Sequence, residues 1–139
     1  MPYRARMSSG LRVLRGSCHC GAVQFEVKVS SRPVVHDCNC SICTRTGFLH
    51  LIVPKERFRI VAGTDRLTTY TFNTGTAKHT FCNTCGVKSF YVPRSDPACW
   101  SVNVRCLDAG ELGEYELVPF DGRNWEQSMT GKDGGLVDA

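Results

Sequence analysis

A mainly β protein built of packed antiparallel sheets, with only short helical pieces, is the fold class this chain predicts, and three features predict it. Val23, Phe25, Val27 and Val29 alternate with Gln24, Glu26 and Lys28, the period-two pattern of a strand with one wet face. Short β-branched or aromatic runs recur along the chain, punctuated by Gly63, Asn73-Thr74-Gly75, Pro93 and Pro97. Helix signals are few, and seven of nine cysteines fall in three tight clusters.

Taken in order, residues 1–10 are rich in Gly, Ser and Arg without periodicity and are expected to be a loose end. The alternating run 23–29 is the first expected strand. Further strands are expected at 34–37, 49–53, 58–61, 67–72, 78–81, 89–92 and 100–104. Ser41 is the expected cap of a single helical turn through Arg45. Asn124 is the expected cap of a short helix over 125–130 ended by Gly131. Residues 131–139 are expected to be a second loose end. No internal repeat or linker interrupts the middle, so 14–130 reads as one domain.

The 139 residues suffice to bury roughly two thirds of the unfolded chain's surface in one core. With 42% hydrophobic and 22% charged residues, neither a disordered nor a membrane-embedded chain is expected. The net charge of +4 draws on Arg4, Arg6, Arg12 and Arg15, read as a solvated, frayed end rather than a nucleic-acid surface. No apolar run approaches the roughly 18 residues of a membrane span, and the first residues lack the apolar stretch of a secretory signal. A cytoplasmic location is therefore expected, and it favours metal coordination over disulfides as the use of the cysteines. The odd number of cysteines would also leave one thiol outside any set of disulfides.

The clusters are Cys18-His19-Cys20, Cys38-Asn39-Cys40-Ser41-Ile42-Cys43 and Cys82-Asn83-Thr84-Cys85, with Gly21 and Gly86 directly after the first and third. A tetrahedral zinc, with Zn to S near 2.3 Å, needs its sulfurs within roughly 4 Å of each other, so the chain must turn sharply between ligands. A glycine after the second ligand permits that turn at positive φ. Seven ligands divide into four and three, a closed structural site and a site with an open position for water or substrate. Cys38-x-Cys40-x-x-Cys43 is the compact candidate for three. Spacing also permits Cys40 and Cys43 to pair with Cys82 and Cys85 instead.

Residues 16–107 resemble the glutathione-dependent formaldehyde-activating enzyme family. The likeness rests on the Cys18-x-Cys20-Gly-Ala-Val opening, the Cys38-x-Cys40-x-x-Cys43 triad, and Cys82-x-x-Cys85-Gly followed by a strand and Pro93. Within it, Asp37-Cys38-Asn39-Cys40-Ser41-Ile42-Cys43, the run 69–74, His79-Thr80-Phe81-Cys82 and Ser89-Phe90-Tyr91 are similar to the enzyme-like domain of centromere protein V. The resemblance implies a tent-like (Mss4-like) fold and two Zn2+ per chain. It implies a structural zinc on Cys18, Cys20, Cys82 and Cys85 and a catalytic zinc on Cys38, Cys40 and Cys43. The implied reaction is the reversible joining of glutathione, or another thiol, to formaldehyde or a related aldehyde, a carbon-sulfur lyase chemistry.

Glutathione is anionic, so Arg45, Lys78 and Arg94 are candidate cations for it, though charges of this kind are most often solvated bystanders. His19 and His79 stand near the candidate ligands and are candidate proton shuttles or replacement ligands, read more simply as ordinary strand or turn residues. His36 and His50 are read as structural. Cys99 and Cys106 are read as buried free thiols, and Trp100, Trp125, Phe72, Phe81, Phe90 and Tyr91 as core. Two competing readings stand beside the enzyme. One is a non-catalytic zinc-stabilised module for a protein or nucleic-acid partner, and the other a one-zinc ribbon whose remaining thiols are redox sensors. The chain lacks the interleaved aromatic and basic residues of a nucleic-acid surface.

Overall fold

The computed structural model describes residues 10–130 and 136–138. β1 (Arg12–Ser17) pairs antiparallel with β2 (Gln24–Val29), which pairs antiparallel with β5 (Phe58–Ala62). A second sheet has the order β10 (Glu116–Phe120), β3 (Val34–Cys38), β4 (Leu49–Pro54), β9 (Cys99–Asn103), β8 (Phe90–Tyr91). A two-stranded ribbon joins β6 (Leu67–Tyr70) to β7 (His79–Cys82). Two short helices, α1 (Ser41–Thr46) and α2 (Trp125–Met129), complete the named elements. Among the described residues no helix is long and apolar enough to cross a membrane.

The alternation in β2 does what its period dictates. Phe25, Val27 and Val29 are buried while Gln24 and Lys28 face solvent. They pack with Leu14, Val23, Leu51, Val53, Phe90 and Val102 into the core between the two larger sheets. Aromatic rings fill its centre: Phe25 meets Phe90 edge to face at 5.7 Å, and Phe58 stacks on Trp100 at 4.9 Å. Gly16 faces Phe25 across the β1–β2 ladder, and a Cβ there would run into the Phe25 ring and the Cys106 carbonyl. Deleting a ring from such a core costs about 3–5 kcal/mol.

Two strands go beyond the sequence reading. β1 carries Arg12 and Arg15, so these residues are not part of a frayed end. Arg12 donates to the Glu111 and Leu112 carbonyls at 3.2 and 2.9 Å, and Arg15 pairs with Glu26 at 3.3 Å. Its pattern was hidden because only Leu14 and Gly16 turn inward. β10 lies at a sheet edge and runs parallel to β3, the exception to the antiparallel expectation. Pro119 disguises it, since proline removes a ladder donor and is tolerated only on an edge.

The short helices also shift. α1 is capped by Cys40 rather than Ser41, and Gly47 in the left-handed region (φ 66°) stops it. Asn124 precedes α2 without a side-chain capping bond, and the helix ends at Met129. Of the ends expected to be loose, 1–9, 131–135 and 139 lie outside the described residues. For 136–138 the expectation is corrected. Asp138 is buried, its carboxylate bonds Arg57 at 2.7 Å and Ser30, and its N–H donates to the Ile52 carbonyl.

Candidate metal centres and active-site cleft

Cys18, Cys20, Cys82 and Cys85 come together with their sulfurs all within 4.8 Å of one another. Two segments 62 residues apart build this group from one repeated backbone device. The Cys18 N–H donates to the Val23 carbonyl at 3.0 Å, and the Cys82 N–H donates to the Val87 carbonyl at 3.1 Å. In each loop the glycine N–H turns back on the first cysteine carbonyl, Gly21 at 3.3 Å and Gly86 at 2.8 Å, with φ of 82° and 80°. Backbone N–H groups also reach sulfur, Val23 to Cys18 at 3.4 Å and Thr84 to Cys82 at 3.3 Å. Those from Cys85 and Thr84 hold the Cys82 thiol down at about 6. The Cys18–Cys20 and Cys20–Cys82 sulfur separations, 3.6 and 3.7 Å, are far beyond a disulfide and suit thiolates sharing one metal ion.

Cys38, Cys40 and Cys43 form a second group within the same limit. Cys38 ends β3, Cys40 caps α1 and Cys43 lies in its first turn, so the strand-to-helix corner turns three thiols inward. Hydrogen bonds from the Cys38 and Cys43 thiols, then from the Cys43 and Ile42 N–H groups, hold the Cys40 thiol far below its ordinary range. Cys43 is pushed up by the neighbouring Cys38 and Cys40 thiols and by burial. The two groups are separate, which removes the alternative pairing of Cys40 and Cys43 with Cys82 and Cys85.

Distant residues brace the triad. His50 Nε2 lies 3.0 Å from Cys43 Sγ, while His50 Nδ1 lies 3.0 Å from Ser101 Oγ and 3.2 Å from the Tyr91 hydroxyl. Burial, then the Lys88 charge, press His50 down to about 3, so the ring is neutral. Asn39 ties the loop to the segment after β10. Its side-chain amide donates to Asp121 at 2.9 Å and accepts from the Arg123 N–H at 3.0 Å, and its carbonyl accepts from Arg123 Nε at 2.9 Å. Gly122 lies so close that a Cβ there would overlap Cys38 Sγ and press on the Cys40 Cβ at 3.0 Å.

The triad opens into a cleft of about 390 Å³ lined also by His36, His50, Ile52, Phe72, His79, Tyr91, Arg94, Arg123 and Trp125. One wall is an aromatic stack in which the His79 ring lies 5.2 Å from Phe72 and 4.8 Å from Tyr91. Across it, the Arg94 guanidinium sits 3.8 Å over the Trp125 ring. Behind the stack, buried Lys88 lies 2.7 Å from His79 Nδ1.

Several sequence readings are corrected here. Phe72 and Trp125 are cleft residues rather than core, and Tyr91, although buried, also faces the cleft. His50 and His79 belong to the site, whereas exposed His19 does not line it. Arg94 lines the cleft, but Arg45 and Lys78 do not and instead bond the Ser41 and Gly75 carbonyls. Cys99 and Cys106 are half-buried and stand outside both thiol groups. Asn39, Gly122, Arg123 and Lys88 carry no signal in the sequence: Asn39 and Arg123 pair across 84 positions, Gly122 abuts Cys38, and Lys88 meets His79 only because the chain turns back through the intervening loop.

A family model described as glutathione-dependent formaldehyde-activating enzyme matches residues 13–120. A crystal structure of a Rhodobacter sphaeroides protein, a structural genomics target, is 38% identical and superposes with a TM-score of 0.65. The match covers 76% of this chain and 100% of that one. Two thiol groups, one wrapped in backbone turns and one open to a cleft, thus sit inside a stretch that matches one family throughout, and the chain belongs to the glutathione-dependent formaldehyde-activating enzyme family.

Proposed function

We propose that this chain is a zinc-dependent carbon-sulfur lyase that reversibly adds glutathione to formaldehyde at Cys38, Cys40 and Cys43. The observation that carries the reading is the open triad: three clustered thiols on a cleft wall, with no fourth His, Cys, Asp or Glu ligand grouped with them among the described residues. Three soft sulfur donors fit zinc, and the set leaves one tetrahedral position for an exogenous ligand. Cys18, Cys20, Cys82 and Cys85 would hold a second, structural zinc. The metal at the triad would supply a site that keeps an incoming thiol deprotonated near neutral pH.

The chain's own residues do the rest. Arg94 and Arg123 offer guanidinium groups at the cleft for the carboxylates of glutathione. The apolar wall of Phe72, Tyr91 and Ile52 excludes water from the forming carbon-sulfur bond. A single domain over 14–130 acting in the cytoplasm, where thiols stay reduced, suits this chemistry.

Exchange NMR tests the reading by comparing S-hydroxymethylglutathione formation with and without the zinc-loaded protein at matched thiol and formaldehyde. Acceleration that is lost in Cys40→Ser is expected. No acceleration with two zinc ions bound would refute the lyase and favour a zinc-stabilised binding module.

A further inference from the structure

Lys88 is an unusual cation. It is 8% exposed, and among the described residues no carboxylate pairs with it. Its ammonium instead lies 3.9 Å from the Tyr91 ring centroid, 5.0 Å from that of Phe48 and 2.7 Å from His79 Nδ1. An ammonium can only donate, so His79 Nδ1 accepts and the ring proton resides on Nε2. Nε2 makes no protein hydrogen bond among the described residues, and His79 lines the same cleft as the triad. Stacking between Phe72 and Tyr91, with interplanar angles of 22° and 12°, holds the ring in one plane. Burial, then the Lys88 charge, press His79 down to about 4, so it stays neutral at pH 7.

We propose that His79 is a catalytic residue that donates its Nε2 proton to the aldehyde oxygen, and that Lys88 orients the imidazole and replaces that proton through Nδ1. This rests on the thiol–aldehyde reading above. In the addition, a thiolate electron pair forms the carbon-sulfur bond and the carbonyl π pair moves to oxygen. The oxygen takes the Nε2 proton while Nδ1 takes one from Lys88 Nζ, leaving a neutral amine. The next thiol to enter gives its proton to Nε2 while Nδ1 returns its proton to Lys88, which restores both the ammonium and the Nε2–H tautomer, and the reverse reaction runs the relay backwards. Burial holds Lys88 down at about 8, close to the roughly 8.5 of an ordinary thiol, so the proton returns with little energetic cost. The groups facing this pair are Cys40 at the N-cap of α1, Cys43 within it, His50 from β4, Tyr70 from β6 and Tyr91 from β8.

The test uses the zinc-loaded full chain, with metal content measured for each variant. His79→Phe is expected to lower kcat about 100-fold with KM changed only a few-fold. The wild-type rate should fall off above pH 8, and Lys88→Met should remove that limb. Lys88→Arg keeps the charge and the tautomer but holds its proton too tightly to pass it on, so it should keep the His79 Nε2–H signal and lose rate. Wild-type kcat in His79→Phe, or an alkaline limb unchanged in Lys88→Met, would overturn the relay and leave the lyase standing. No acceleration by the wild type would overturn both. Nitrogen-15 NMR of the wild type reads the tautomer without relying on a variant that folds: Nε2–H between pH 5 and 7.5 is expected, and Nδ1–H overturns the assignment.

Discussion

The two thiol groups are held in different ways. Around Cys18, Cys20, Cys82 and Cys85 each half closes on itself, with the same five-residue N–H to carbonyl bond and the same glycine turn in both loops. Around Cys38, Cys40 and Cys43 the braces come from afar: Asp121 and Arg123 reach Asn39, Gly122 makes room for Cys38, and His50 and Ser101 stand behind Cys43. A self-contained loop suits a metal that joins two parts of a chain. A site assembled from several strands leaves one side open to solvent, which is where a substrate must enter.

The largest expected effect separates the two groups by stability. Removing one of the four proposed ligands, Cys82→Ser, should abolish cooperative folding, because a structural zinc there would contribute on the order of 10 kcal/mol of apparent binding energy, comparable to a domain's whole stability. Cys40→Ser should keep a cooperative thermal transition and lose one bound metal. If melting curves with metal analysis showed the reverse, the roles assigned to the two groups would be exchanged.

An intermediate effect probes the distant braces. Gly122→Ala inserts a methyl against Cys38 Sγ and should cost about 1–3 kcal/mol through overpacking, with the loss concentrated in metal affinity at the triad. Gly21→Ala places a side chain at φ 82° with nothing within 4 Å, so only backbone strain acts and the four-cysteine site should weaken instead. Competition with a chromophoric chelator reads both. Equal loss at both sites in either variant would mean that the sites do not fold independently.

A pH dependence confined to the cleft is the remaining effect, and it vanishes above pH 6.5. His79 is pressed from 6.5 to about 4 in the folded chain, so between those values the unfolded chain binds a proton that the folded one does not. Stability therefore falls as pH drops from 6.5 towards 4, by at most about 3 kcal/mol from this group. Denaturant unfolding of His79→Phe should show a shallower acid slope than wild type. Identical slopes would mean that the buried ring already shares its proton when folded.

The parts of this protein legible in the sequence are those written over a few residues. A cysteine spacing and the glycine behind it specify a turn, and the alternation over 23–29 specifies which side chains enter the core; both came out as read. β10 was not legible, because an edge strand carrying Pro119 and burying only Phe120 fully has almost no pattern. Nor was the latch between Asn39 and Asp121, 82 positions apart, or the meeting of Lys88, in the loop before β8, with His79 on β7. Local spacing names the candidate ligands because a metal's reach is only a few ångströms. The cleft is placed by strand register and long-range pairing, which bring side chains together for reasons that no short stretch of chain contains.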